Sequence, residues 1–156
     1  DGKEYYLKAS RESVNELGKK LLQSLATEED VHQQKFEEIY DVVRNKKAWP
    51  MTDFQPDGGR RVRTIFARAT EETGSTIKVS ATEPDAIQTA MDMENKTHNF
   101  YKSLAQNATH DAERDFCEAL AGEEREHHLI LSDYYEYLSN PAAWFVKKEH
   151  PSLDGG

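Results

Sequence analysis

Glu29 and His32 stand three residues apart, and so do Glu124 and His127, inside the matching octapeptides LATEEDVH and LAGEEREH, 95 residues from one another. On a helix a spacing of three returns the second side chain to the face of the first, so a carboxylate and an imidazole can grip one ion. Two such grips imply two ions. A di-metal carboxylate bundle asks for this pair on each of two helices and a lone Glu from each of two others. A single copy in an acidic helical chain is usually a solvated surface pair; two equivalent copies argue for metal. The zinc-protease arrangement is absent, since neither HExxH nor its inverse occurs.

The elements that must carry these residues follow from the same repeat. At the 95-residue offset Tyr5-Tyr6 meets Phe100-Tyr101, Leu21 meets Phe116, Leu25 meets Leu120, Phe36 meets Leu131, Ile39 meets Tyr134 and Val43 meets Leu138. The pattern is a duplicated helical hairpin, which predicts a four-helix bundle rather than a solenoid. Positions 21, 25, 36, 39 and 43 have helical spacing, and Glu29 and His32 continue their stripe, so these polar groups point inward. Buried there, they are costly unless paired or metal-bound. The expected helices run from the N-terminus to Ser10, from Glu12 to Asn45, from Pro84 to Asn107 and from Asp111 to Ser139. Thr82 is the expected N-cap of the third, with proline in its first turn. A long crossover, punctuated by Trp49-Pro50, by Gln55 to Gly59 and by Gly74, joins the second to the third; Arg61 to Glu72 suits a short helix within it. Asn140-Pro141 is expected to end the fourth helix, leaving a short tail whose Trp144, Phe145 and Leu153 fold back on the bundle or on a partner subunit, ahead of Gly155-Gly156. Both tryptophans are read as packing residues.

A chain of 156 residues suits a single domain over 1–156. Hydrophobic content of 37%, charged content of 31%, eight Gly and five Pro favour an all-α chain. The net charge of -9 repels a phosphate backbone, and Arg60, Arg61 and Arg63 are read as a solvated loop, so nucleic acid is excluded as a partner. Cys117 is the one cysteine, which rules out internal disulfides and a four-cysteine centre; it is expected to pack beside Phe116 and Leu120. No apolar run approaches the roughly 18 residues that span a bilayer, and no secretory signal opens the chain, which makes a membrane role unexpected and the cytoplasm the default. His110, His128 and His150 lack partners at ligand spacing and are assigned to the surface.

Glu94 lies six residues before Phe100-Tyr101, and its segment AMDMENKTHNFY resembles the third helix of the rubrerythrin family of the ferritin-like superfamily. The two LAxEExxH segments resemble that family's second and fourth helices, and NPAAWF…LDG is similar to members without a rubredoxin domain. The resemblance spans nearly the whole chain. It implies a ferritin-like four-helix bundle with one long crossover between helices 2 and 3. It also implies that Glu29, His32, Glu94, Glu124 and His127 hold two ions, with Glu29 and Glu124 bridging and the histidines terminal. Iron comes first, with manganese or zinc as alternatives. Tyr101, seven residues after Glu94 and on the same face, is a candidate hydrogen-bond donor to the ligands, with Tyr6 as its repeat partner; core packing is the alternative for both. The chain departs from the family in two places. The first-helix Glu demanded by the repeat falls at position -1, before Asp1, and neither Asp1 nor Glu4 has the phase to replace it. Because DGKEYYLKAS opens in mid-helix without a cap or a methionine, the expectation is a truncated or processed chain with a weakened, half-filled site; a five-ligand site is the alternative. Thr97 stands where rubrerythrins carry an extra mobile carboxylate, which argues against redox-linked ligand switching, and His98 is read as a rim residue. The activity implied is reduction of hydrogen peroxide or oxidation of ferrous iron, by a homodimer fed with electrons from a separate protein such as a rubredoxin. The alternatives are a non-catalytic iron-binding or storage module and an interaction bundle with vestigial ligands.

Overall fold

The computed structural model describes residues 2–46, 49 and 56–149, without the side chains of 44, 46, 148 and 149. Leu153, Gly155-Gly156, His150 and Asp1 lie outside the described residues. Among the described residues all regular structure is helical, with α1 (Gly2–Glu12), α2 (Glu16–Lys46), α3 (Arg60–Thr73), α4 (Glu83–Gln106), α5 (Asp111–Ser139) and α6 (Pro141–Glu149). The two hairpins of the repeat are α1 with α2 and α4 with α5, and they meet through α1 and α4. Lys3 Nζ to Asp30 Oδ1 at 3.0 Å fixes the antiparallel register of the first. His98 Nδ1 to the Ala121 carbonyl at 2.8 Å and His128 Nδ1 to the Met91 carbonyl at 3.2 Å fix that of the second. The second contact corrects the surface assignment of His128, which is half-buried against α4.

The buried stripe follows the repeat. Leu17, Leu21, Leu22, Leu25, Ile87, Leu131 and Tyr134 belong to one apolar cluster, and Ile39, Phe116, Cys117 and Leu120 to a second. Cys117 packs where expected, and burial pushes its thiol up to about 11. Phe36 and Val43 are only partly buried and Phe100 is exposed.

Four local expectations are corrected. The helix expected from Glu12 begins at Glu16, because Asn15 caps it: Asn15 Oδ1 accepts the Gly18 N–H at 2.6 Å, three residues into the new helix. Thr82 occupies the N-cap position of α4 but makes no side-chain cap; the Ser80 hydroxyl accepts the Glu83 N–H at 3.2 Å instead. Arg60, Arg61 and Arg63 form the first turn of α3 rather than a loop. Asp57 takes the N–H groups of Gly59 and Arg61, each at 3.0 Å, and Arg63 bonds Glu126 of α5. Finally, Asn140 ends α5, but Pro141 opens α6, as proline does at a first helical turn. The α6 helix folds back on the bundle. Trp144 is buried edge-on against Tyr137 and Phe66, with centroids 5.2 and 5.9 Å away, and donates its indole N–H to Asp133 Oδ1 at 2.7 Å. Among the described residues no helix is long and apolar enough to cross a membrane.

Candidate metal centre

Between the two apolar clusters the bundle carries a polar layer. Glu29 and His32 enter it from α2, Glu94 from α4, and Glu124 and His127 from α5. All but Glu29, which keeps a little solvent contact, are buried. Glu29, Glu94, Glu124 and His127 each offer a ligand atom, and these atoms all lie within 4.8 Å of one another. His127 Nδ1 is 3.7 Å from Glu29 Oε1 and 3.7 Å from Glu94 Oε1, too far for a hydrogen bond to either. Glu29 Oε1, Glu94 Oε2 and both ring nitrogens of His127 are buried with no hydrogen-bond partner. Each such atom costs about 1–3 kcal/mol when left unsatisfied, and here lone pairs from three helices converge on one space. That arrangement suits a cation, and oxygen with imidazole nitrogen is a donor set that iron, manganese and zinc all accept. The residues present therefore fit a metal.

His32 stands beside that group rather than within it. Its Nδ1 is 2.9 Å from Glu124 Oε1, and its ring lies nearly parallel to that of His127, 5.8 Å away at 11°. His32 also belongs to a second group, with Glu28 and Glu123, whose ligand atoms again lie within 4.8 Å of one another. Of the two tyrosines, Tyr6 donates its hydroxyl to Glu94 Oε1 across the hairpin boundary. Tyr101 packs its ring on Phe36 and Phe100 and lines a cavity of about 340 Å³ with Gly2, Glu29, His32 and Gln33. Glu94 is thus served by the tyrosine of the other repeat rather than by Tyr101 on its own helix, since an antiparallel hairpin pair brings α1 against α4. Thr97 donates its hydroxyl to the Met93 carbonyl at 3.0 Å. His98 is occupied by the Ala121 carbonyl and His110 is exposed.

Electrostatics divide the five groups. Burial, reinforced by the neighbouring Glu94 and Glu29 carboxylates, drives the Glu124 carboxyl far above the usual carboxylate range, so it keeps its proton at neutral pH. Burial also opposes charge on His127, but the Glu29 and Glu94 carboxylates override it and push the imidazole up to about 10. His32 is lowered to about 4 by burial and by the charge on His127, so it is neutral. Despite its burial Glu94 is held below the usual range by Glu124, His127 and Tyr6. Burial and Glu94 together raise Tyr6 well above an ordinary phenol.

The sequence model of the rubrerythrin family matches residues 1–135. The chain belongs to the rubrerythrin family. The all-helical bundle is accordingly the ferritin-like one, and the Glu/His cluster is the place in it for a di-metal carboxylate site. No curated protein and no solved structure gave a significant match.

Two residues of the polar layer escaped the reading of the motif. Glu28 and Glu123 are the first members of the two Glu-Glu pairs, to which the motif assigned no role. Glu123 is 2% exposed, accepts the Gly58 N–H at 2.9 Å through Oε1, and leaves Oε2 buried without a partner. The available signal was their spacing, four residues before each histidine. A further buried carboxylate, Glu83, lies apart from the site and is satisfied by Tyr134, by Ser13 at 2.8 Å and by Asn15.

Proposed function

We propose that this chain is a di-metal carboxylate protein that reduces hydrogen peroxide. In this reading Glu94 and His127 would hold one ion and His32 the other, with Glu29 and Glu124 shared between them. The observation that carries it is the convergence of unpartnered buried ligand atoms from α2, α4 and α5 on one space. Iron, when bound, would supply the two electrons that cleave an O–O bond. The remaining work falls to the chain. The two apolar clusters on either side of the layer keep bulk water from it, and the cavity beside Glu29, His32 and Tyr101 offers a small molecule a way in. Reduction of peroxide to two waters consumes two protons, which would enter from solvent through that cavity, since Glu124 and His127 would give up their own protons on binding the ions. Tyr6 fixes the Glu94 carboxylate in its orientation. Electrons would come from a redox centre outside these residues, such as a rubredoxin, because the one cysteine within them cannot build a four-cysteine iron centre. A homodimer is the proposed assembly.

A second reading is favoured by the unequal halves of the site. His32 stands beside the group of Glu29, Glu94, Glu124 and His127 rather than within it, which suits a protein that binds ferrous iron without turning over peroxide. Stopped-flow oxidation of the di-ferrous protein separates the two. The peroxidase reading expects oxidation by peroxide to be far faster than by dioxygen. Equal, slow oxidation by both, no faster than free iron, would leave only the iron-binding reading.

A further inference from the structure

The two octapeptides carry a second carboxylate each, Glu28 and Glu123, one residue before Glu29 and Glu124 and four before His32 and His127. On a helix that spacing sets carboxylate and imidazole side by side. The Nδ1 atoms of both histidines face the shared carboxylates: that of His32 lies 2.9 Å from Glu124, and that of His127 lies 3.7 Å from Glu29 and Glu94. The Nε2 atom of His127 points the other way, toward Glu123 Oε2 at 3.9 Å. Both of those atoms are buried and have no hydrogen-bond partner.

We propose that Glu123 is a positioning residue for the metal centre, receiving the Nε2–H of His127 and so reserving Nδ1 for the ion, with Glu28 in the equivalent place toward His32. The inference rests on the di-metal reading. A separation of 3.9 Å is beyond a hydrogen bond, but rotation of one side chain or a single bridging water closes it. Metal-bound histidines almost always donate the remote N–H to a carboxylate, carbonyl or water, which fixes the tautomer and the ring. Here the carboxylate is itself held. Glu123 Oε1 accepts the Gly58 N–H at 2.9 Å, so the turn that opens α3 braces the residue behind His127. Gly58 and Gly59 both have positive φ, 65° and 75°, and a Cβ on Gly59 would come within 2.8 Å of Glu126 Cβ, so this turn has little room for another conformation. The same N–H argues against a third ion among Glu28, His32 and Glu123, because a donor aimed at the carboxylate suits a hydrogen-bonded acceptor and repels a cation.

Zinc, which is diamagnetic, is the probe. Zinc titration of the full chain against a competing chelator, with nitrogen-15 spectra of the imidazoles, is done on the wild type, Glu123→Gln and Glu28→Gln. The amide of Glu123→Gln keeps one acceptor oxygen and can serve Gly58 or His127 but not both. The expected result is the Nε2–H tautomer at His127 in the zinc-loaded wild type and a tenfold to hundredfold weaker affinity in Glu123→Gln, with unchanged helical circular dichroism. Glu123→Asp, which restores the charge, should recover part of the loss. Glu28→Gln reports the same effect at His32 and stands in should Glu123→Gln fail to fold. Tight zinc binding by the wild type with equal affinity in both variants overturns the proposal, as does loss of a separate zinc equivalent at undiminished affinity for the rest. A wild type that binds no zinc, manganese or ferrous iron overturns the di-metal reading beneath it.

Discussion

Without a cation, carboxylates from three helices cannot all carry charge in one buried space, and the protons on Glu124 and His127 relieve that repulsion. A divalent ion would take the place of those protons. Because the imidazole of His127 is held charged up to about 10, it must lose its proton before Nδ1 can bind, and Glu124 must lose its proton too. The sign follows: metal affinity rises with pH from neutrality toward 10, by about tenfold per pH unit for each proton displaced. Calorimetric zinc titration in buffers of different ionisation heat should therefore count close to two protons released per ion at that site at pH 7. Release of none would show that the cluster is already deprotonated. Tyr6→Phe tests the neighbouring contact. It leaves Glu94 Oε1 buried without its donor, and the expected cost is about 1–3 kcal/mol in urea denaturation of the metal-free protein, with weaker zinc binding as well. Little of this was visible from the residues alone. Tyr6 and Tyr101 were legible as a repeated pair on the core stripe, whereas the identity of the carboxylate each would meet depended on how the hairpins docked.

At the scale of elements, the break between α1 and α2 is held by a buried polar knot. Ser13 and Asn15 from the turn, Glu83 from the first turn of α4 and Tyr134 from α5 share hydrogen bonds there. Gly18 lets α2 pass over it. A Cβ on Gly18 would lie 2.3 Å from Ser13 Oγ, 2.5 Å from the Tyr134 hydroxyl and 2.6 Å from Glu83 Oε1. Gly18→Ala is therefore expected to destabilise the fold by at least about 2 kcal/mol in chemical denaturation, although alanine is the better helix former. An unchanged midpoint would mean that the knot is loose. Helical periodicity made α2 legible over nearly all its length, yet it ran the helix on to Glu12. Ser13, Asn15 and Gly18 within one short stretch read as a weak helix as easily as a cap, and the partner that decides, Glu83, is 68 residues away from Asn15. The tail was misjudged for a similar reason. Proline stops one helix and starts the next equally well, and the platform of Phe66 and Tyr137 that receives Trp144 exists only once α3 and α5 are side by side.

At the scale of the whole molecule, the site is a layer between two apolar clusters, and the bundle does not depend on the metal ligands for its core. Replacing both Glu29 and Glu124 by Gln should accordingly abolish stoichiometric metal, measured by elemental analysis of the purified protein, while the helical circular dichroism stays intact. Collapse of the helical signal with metal retained would contradict this. The two Glu-x-x-His pairs, the apolar stripe running through them and the duplicated hairpin were determined by the sequence, because 3.6 residues per turn fixes which side chains share a face whatever the neighbours are. Tertiary structure alone decided that Tyr6 serves Glu94, that His32 meets Glu124, and that the Gly58 turn stands behind Glu123. Each of those contacts joins residues far apart in the chain and on different elements, and their pairing depends on the depth and register at which the helices pack, which no local periodicity encodes.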